Sequence, residues 1–288
     1  MTGLSALPFD GTLAARLARP GDAAEGVRLW WLGQAGFVLA MAGYRIVIDP
    51  YLSDSLAAKY RGKRFEHDRM MPAPVTVAEL GPVDLVLVTH AHTDHMDAET
   101  LAPLARLNPD CRFVVPRAVR DAAMERIGIA ADRLFEVDAG DRIEPLPGLT
   151  VTAIRAAHET LERSPEGWHR FLGYVLRAGD VSLYHSGDTI PFAGLVEELA
   201  PHAPDLVLLP VNGRRPELTA AGIAGNLHLE EACRLARDIG AADLIAHHYG
   251  MFAFNTADPR DIDARIEAAD CGTRLHRAKL SVDYRLTK

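Results

Sequence analysis

Short apolar runs that stop at a turn signal or a polar residue recur from one end of this chain to the other, and they constrain its fold more than any other feature. WWLGQAGFVLAMAGYRIVID, VDLVLVTH, RFVVP, LTVTAIRAAH, FLGYVLRAG, VSLYHSGD, DLVLLPV and DLIAHH contain units of the length and composition of buried strands. Between them lie helical patterns. The clearest is HLEEACRLARDIG, where Leu229, Ala232, Cys233, Ala236 and Ile239 share one face and Gly240 follows as a stop. The first third reads as antiparallel, because its runs are separated by tight turns at Gly33 to Gly36 and at Gly43. Later strands alternate with helices, which predicts α/β layering with helices covering sheet.

At 288 residues and 48% hydrophobic, the chain can bury an ample core. No repeat, low-complexity block or Pro/Gly/Ser-rich linker divides it. The expectation is one domain over 28–288 after an N-terminal extension, 1–27, with two fused small domains as the alternative. The extension lacks an apolar stretch of signal-peptide length, and no segment approaches the roughly 20 apolar residues of a spanning helix. A soluble cytoplasmic protein without a membrane partner is expected. The net charge of −8, with no long basic run, argues against nucleic acid or anionic membrane as partner. An anionic small-molecule substrate would need a local positive site, which bound metal ions can supply; homo-oligomerisation is left open. Cys111, Cys233 and Cys271 stand far apart and read as buried thiols rather than a disulfide framework. Segment 59–75, KYRGKRFEHDRMMPAPV, reads as a long loop of the kind that forms lids or binding loops, a solvated connection being equally compatible.

The chemistry gathers at strand ends. In DLVLVTHAHTDHMDAET, His90 closes the apolar run Val83 to Val88, and His92, Asp94 and His95 follow before a helix expected near Ala98. On an extended segment His90 and His92 point the same way, while Asp94 and His95, past a turn, address a second point. Such an arrangement suits two neighbouring metal ions, which polarise an electrophile and activate water near neutral pH. Further ligands are then required, and other strand ends offer them: His158, Asp188 and the pair His247 and His248. A carboxylate such as Asp188 can bridge two ions. His247 and His248 should face opposite ways, so one of them is the ligand. His185 is either an orienting partner of a ligand or a core histidine. His169 reads as structural, His67, His202 and His276 as solvated, and His228 as lying at a helix N-terminus.

HAHTDH (90–95), His158, SGDT (186–189) and HHYG (247–250), in this order, resemble the metallo-β-lactamase superfamily. WLGQAGF (31–37), IDPYLSD (48–54), YHSGDT (184–189), LLPVNGR (208–214), GN (225–226) and HHYGMFAFNTADP (247–259) resemble its L-ascorbate-6-phosphate lactonase branch. The resemblance implies a four-layer αβ/βα sandwich with two metals at the sheet edge. It implies that His90, His92 and His158 hold one metal, that Asp94, His95 and His248 hold the other, and that Asp188 bridges them. His248 is chosen over His247 by position in the final motif, although Ala246 stands where that motif has proline. Asp49 would support the ligands from behind. Asn212, Arg214 and Tyr249 are the candidates for substrate contact, Arg214 because a guanidinium fork suits phosphate or carboxylate. Arg61, Lys63 and Arg64 are further phosphate candidates from the loop.

The expected activity is metal-assisted hydrolysis of a lactone or related ester on a small phosphorylated or acidic sugar, with Asp94 or His95 handling the proton. Imidazole and carboxylate ligands without thiolate accept Mn, Zn or Fe; the resemblance favours Mn, with Zn second. One rival is a phosphodiesterase acting on cyclic nucleotides or phospholipids. A nuclease would be expected to carry a basic binding domain, and a redox diiron protein resembles HxExDH where this chain has His92. The rival of another class is a non-catalytic, metal-stabilised ligand sensor.

Overall fold

Period-two alternation in the first hairpin decides the layering. The computed structural model describes residues 3–19 and 26–288. Its first strands are β1 (Gly3–Pro8), β2 (Val27–Gly33), β3 (Gly36–Met41), β4 (Tyr44–Ile48), β5 (Leu85–Leu87), β6 (Arg112–Pro116) and β7 (Leu134–Val137). In β2 and β3, Leu29, Trp31, Phe37 and Leu39 point into the space between two sheets. Trp30, Leu32 and Val38 point the other way, onto α1 (Leu13–Leu17), α3 (Ala98–Leu107) and α4 (Arg120–Ile127), through Leu13, Leu101, Leu104 and Ile127. A short α2 (Ser55–Tyr60) lies between β4 and β5. Strands apolar on both faces are what a sheet buried on both sides requires.

The second set is β8 (Arg142–Leu146), β9 (Leu149–Arg155), β10 (Leu172–Ala178), β11 (Val181–His185), β12 (Leu206–Pro210), β13 (Asp243–His247), β14 (Arg274–Arg277) and β15 (Val282–Thr287). Its helices are α5 (Leu195–Leu199), α6 (Pro216–Thr219), α7 (Leu229–Asp238) and α8 (Pro259–Ala268). Sheet one runs β1-β15-β2-β3-β4-β5-β6-β7 and sheet two β14-β13-β12-β11-β10-β9-β8. Tyr174 and Leu176 of β10 meet sheet one's inner face, while α7 covers β12 and β13 with Ala232 and Ala236. The result is the expected four-layer αβ/βα sandwich.

Each sheet is antiparallel on one side and parallel on the other. β2, β3 and β4 form the antiparallel meander read from the sequence, and β4, β5, β6 and β7 then run parallel. In sheet two, β11 to β14 are parallel. Because β10 is antiparallel to both β9 and β11, β9 also runs in their direction. The carboxyl ends of β9, β11 and β13 therefore leave sheet two at one edge, and that common exit positions the site.

At the level of the fold the structure departs from the sequence reading in three places. Gly3–Pro8, inside the segment set apart as an extension, pairs with β15 as the edge strand of sheet one. The run Val83 to Val88 contributes only three residues, Leu85–Leu87, to the ladder. Cys233 and Cys271 are not free thiols but a disulfide, with Cα atoms 5.0 Å apart. Both lie in the layer outside sheet two, Cys233 on the buried face of α7 and Cys271 just past α8, so folding closes a separation of 38 residues. Cys111 is a buried thiol, pushed up to about 12 by burial.

Candidate metal centre

Past β5 the chain turns back on itself, with the Met96 amide donating to the His92 carbonyl at 2.7 Å, and Asp97 caps α3 by accepting from the Glu99 amide. That one turn presents His90, His92, Asp94 and His95. From sheet two come His158 after β9, Asp188 after β11 and His248 after β13. The potential ligand atoms fall into three groups, each within 4.8 Å: His90, His92 and His158; Asp94, His95 and His248; and His90, His95 and Asp188. The first two are the triads that the family resemblance implies, and Asp188 lies between them.

His247 and His248 separate as expected, with a backbone twist as the cause. His247 ends β13 and is fully buried, stacked on His185 at 5.1 Å and edge-on to Phe37. His248 adopts φ +62, which a non-glycine residue rarely does, and this throws its ring out of the strand and into the cluster. Asp188 depends on a glycine: Gly187 has φ +60, and a Cβ there would sit 2.7 Å from that of Thr89.

Asp49, itself at φ +43, organises the rings from behind. Its carboxylate accepts from the Thr89 amide at 2.8 Å and hydroxyl at 2.5 Å, and from His95 Nδ1 at 2.7 Å. Since the Thr89 hydroxyl gives its proton to Asp49, the contact at 3.0 Å makes His90 Nδ1 the donor to Thr89. Both imidazoles thus carry a proton on Nδ1 and turn Nε2 toward the cluster, His95 giving up any second proton there when a cation binds. His185 acts on the other sheet. Its Nδ1 accepts from the Gly187 amide at 3.0 Å and its Nε2–H donates to the Ala35 carbonyl at 2.9 Å, which holds the loop carrying Asp188.

The donor set fits divalent cations. His90 Nε2, His95 Nε2, His248 Nε2 and Asp188 Oδ1 are buried without a hydrogen-bond partner, a costly state unless another species satisfies them. His248 Nε2 lies 3.2 Å from Asp188 Oδ1, and His95 Nε2 lies 3.4 Å from Asp188 Oδ2 and 3.7 Å from Asp94 Oδ2. Ligands about 2.0–2.2 Å from one ion sit at roughly such mutual distances. Burial, with neighbouring imidazoles, holds His90 well below its usual range, and burial brings His158 down to about 4. Burial would raise Asp188, but His248 and His95 beside it hold it well below the usual carboxylate range. Burial would likewise lower His95, yet Asp188, Asp49 and Asp94 push it well above. Mostly neutral imidazoles around ionised carboxylates form a site that calls for positive charge.

The cluster lies at one end of a cavity of about 280 Å³ whose other walls include Gln34, Lys59, Tyr60, His67, Phe252 and Phe254. Two of these were missed as functional residues. Gln34, in the turn between β2 and β3, has φ +49; its side-chain amide donates to Asp94 Oδ2 at 2.8 Å and its carbonyl accepts from the His248 amide at 3.0 Å. The signal for it was one amide in the otherwise apolar WLGQAGF. His67 is not solvated: it stacks on Tyr60 at 4.0 Å, edge-on to Phe252 and Phe254, with Nδ1 2.9 Å from the Phe65 carbonyl. Nδ1 is therefore the donor, and Nε2 is left as an acceptor. The 59–75 loop carries a cavity wall, although Lys63 and Arg64 turn outward to lie over Tyr60 and Phe65.

The three residues expected to touch substrate do not line this cavity. Arg214 commits its fork to Glu231, with two contacts of 2.7 Å, and donates to the Asn226 carbonyl at 2.9 Å. Asn212 accepts from Asn226 Nδ2 at 3.0 Å and donates to Asn255 Oδ1 at 2.9 Å, so it supports Asn255, which does face the cavity. Tyr249 is buried against Trp31, ring centroids 5.2 Å apart, and donates its hydroxyl proton to the Ala278 carbonyl. The NGR stretch and Tyr249 are scaffold for the site rather than its surface, whereas His248 beside Tyr249 faces the cavity. His276 also departs from the solvated reading, bonding the buried Asp243 at 2.9 Å, whereas His228 stands at the N-cap of α7 as expected, its amide donating to Glu231 at 2.8 Å.

Fold and site together define an αβ/βα-sandwich protein with a histidine- and aspartate-built metal centre between its sheets. A beta-lactamase superfamily domain profile matches residues 44–249. The chain belongs to the metallo-β-lactamase superfamily and, through a UPF0173 metal-dependent hydrolase of Polynucleobacter asymbioticus that is 30% identical over 67% of each chain, to its UPF0173 metal-dependent hydrolase family. Among its relatives is a UPF0173 metal-dependent hydrolase of Hyperthermus butylicus, 28% identical over 82% of this chain and 90% of that one. Another is the N-acyl-phosphatidylethanolamine-hydrolyzing phospholipase D 1 of Caenorhabditis elegans, 26% identical over 85% of this chain and 72% of that one. A solved metallo hydrolase from Ignicoccus hospitalis shares the fold, with a TM-score of 0.67 at 21% identity, covering 91% of this chain and 99% of that one.

Proposed function

We propose that this protein opens a lactone or related ester of a small phosphorylated or acidic sugar, in the manner of L-ascorbate-6-phosphate lactonases, with two divalent cations, Mn or Zn. The observation that carries the reading is the pair of ligand triads sharing Asp188 at the end of a cavity sized for a small molecule. His90, His92 and His158 would hold one ion, Asp94, His95 and His248 the other, with Asp188 between. Cations bound there supply Lewis acidity toward a carbonyl oxygen and lower the pKa of water. Asp94, half-buried with one oxygen held by Gln34, is the group placed to take a proton, with His95 beside it. Asp49 and His185 keep the ligand loops in register. Lys59 offers the cavity a cation for an anionic substrate group, and the apolar faces of Tyr60, Phe252 and Phe254 exclude water from the reacting bond.

No nucleic acid or membrane partner enters this reading, and oligomerisation is left to measurement. Among the described residues no helix is long and apolar enough to cross a membrane. A cytoplasmic site of action belongs to the proposal, and the Cys233–Cys271 disulfide, a bond uncommon in reducing compartments, makes cell fractionation its direct check. The activity is tested by reconstituting the protein with Mn or Zn and following product formation from phosphorylated sugar lactones and from a phosphodiester reporter. Lactone turnover that chelation removes supports the proposal; turnover of the phosphodiester alone replaces it. That second reading, a phosphodiesterase, is favoured by the phospholipase D relative. Binding of a lactone phosphate without hydrolysis at any metal loading would instead make the protein a sensor.

A further inference from the structure

The antiparallel end of sheet two carries charge that the metal centre does not use. Register places Thr152 of β9 beside Val175 of β10 and Arg142 of β8, and Thr150 beside Arg177, so these side chains share one face. The opposite face, with Val151, Ala153 and Tyr174, is in the core. Over the first face lies a cleft of about 840 Å³, bordered by Glu198 of α5 and by His202 on one side and by Arg163 and His169 on another.

The charge in this cleft runs against that of the chain. Asp and Glu outnumber Lys and Arg by 39 to 31 overall, yet four arginines, Arg142, Arg155, Arg163 and Arg177, line the cleft, and Glu198 is its one carboxylate among the described residues. Glu198 is taken by Arg155. Arg177 donates to the His202 carbonyl, and among the described residues none of Arg142, Arg163 and Arg177 pairs with an acid. Like charges at neighbouring strand positions repel, and a concave wall concentrates their field. His202 registers that field: burial first, then Arg177 and Arg142, hold its imidazole below the usual range. A second observation points the same way. His169, one of the residues lining the cleft, is only 6% exposed and holds Nδ1 against Asp138 at 3.0 Å, which leaves its buried Nε2 without a partner.

We propose that this cleft is a second, non-catalytic site that binds a small phosphoanion. Arg142, Arg163 and Arg177 are its charged donors, and the Thr150 and Thr152 hydroxyls stand between two of them. Guanidinium forks match phosphoryl oxygens in geometry and stay charged at every working pH. The site is independent of the hydrolase reading, because none of its residues belongs to the metal cluster or its cavity.

Pyrophosphate is a suitable probe, titrated calorimetrically into the full-length, metal-loaded protein. The His92→Ala protein, with its metal centre broken, isolates the cleft and should bind pyrophosphate; Arg142→Gln/Arg163→Gln added to it should weaken binding by roughly tenfold or more. Both arginines are exposed, so the melting temperature should hold, and in the otherwise wild-type chain the double substitution should leave basal hydrolase activity unchanged. Arg177→Gln gives a second, separate variant with the same expected direction. Loss of pyrophosphate binding in His92→Ala, or unchanged affinity after the arginine substitutions, overturns the proposal. So does binding of a single-stranded oligonucleotide with none of pyrophosphate.

Discussion

The two sheets supply the metal centre in opposite ways. Sheet one delivers four candidate ligands from one turn, residues 90–95, tied to a single carboxylate, Asp49. Sheet two delivers three, one from each of three strands: His158, Asp188 and His248. The first arrangement is local, so its geometry is set by one loop and one neighbour. The second is global, since each candidate ligand is placed by the packing of its own strand, by the bond from the Gly187 amide to His185, or by the strained turn at His248. A site assembled across two sheets exists only when the sandwich is closed, which links metal binding to folding.

If the halves contribute equally, Asp188→Ala should be as damaging as His92→Ala: both should abolish metal-dependent turnover while circular dichroism stays native. Full activity in either variant breaks the ligand assignment. A smaller effect distinguishes the halves. Asp49→Asn replaces one acceptor oxygen with a donor, so either the Thr89 amide on Oδ1 or both the Thr89 hydroxyl and His95 Nδ1 on Oδ2 lose their partner. Metal affinity should fall by about 10–100-fold, and because Asp49 sets His95 directly and His90 through Thr89, metal titration should show both ions weakened. Weakening of one ion alone would show that the Thr89 relay does not operate.

His67→Phe keeps the ring stack on Tyr60 but removes the imidazole nitrogen left as an acceptor. Metal content should be unchanged and kcat/KM should fall by roughly fivefold to tenfold, the worth of one hydrogen bond; loss of metal instead would place His67 among the ligands. The smallest effect on catalysis is expected from Cys233→Ser. Opening the disulfide should lower stability by about 2–4 kcal/mol, read as a lower Tm, while kcat in the metal-loaded protein stays constant. A changed kcat would mean that sheet two's ligands are held by the covalent link rather than by strand packing.

The strands, the meander and the cover of helices on sheet were legible because burial on both faces leaves uninterrupted apolar runs and tight turns leave glycines, while the four-layer sandwich followed from the family resemblance. The positions of the candidate ligands were legible for a related reason, since a titratable residue directly after such a run has little structural use. Other features were not legible. Arg214 has the right chemistry for phosphate, but only the approach of α7 shows that Glu231 occupies its fork. Tyr249 follows a ligand by one residue, yet the Trp31 ring faces it. His67 stood in a polar stretch, and two of the rings that enclose it, Phe252 and Phe254, come from nearly two hundred positions away. The pairing of Cys233 with Cys271 was hidden in the same way.

The order of strands and helices, and the set of residues able to bind metal, are local properties of side-chain pattern, and the sequence by itself determined them. The tertiary structure alone decided which imidazole nitrogen faces the cluster, which of the polar residues reach the cavity, and which arginines lack a counter-charge. Those outcomes depend on distances between segments far apart in the chain. A hydrogen bond, a stack or an ion pair forms or fails within a few tenths of an ångström, a scale that residue spacing along the chain does not carry.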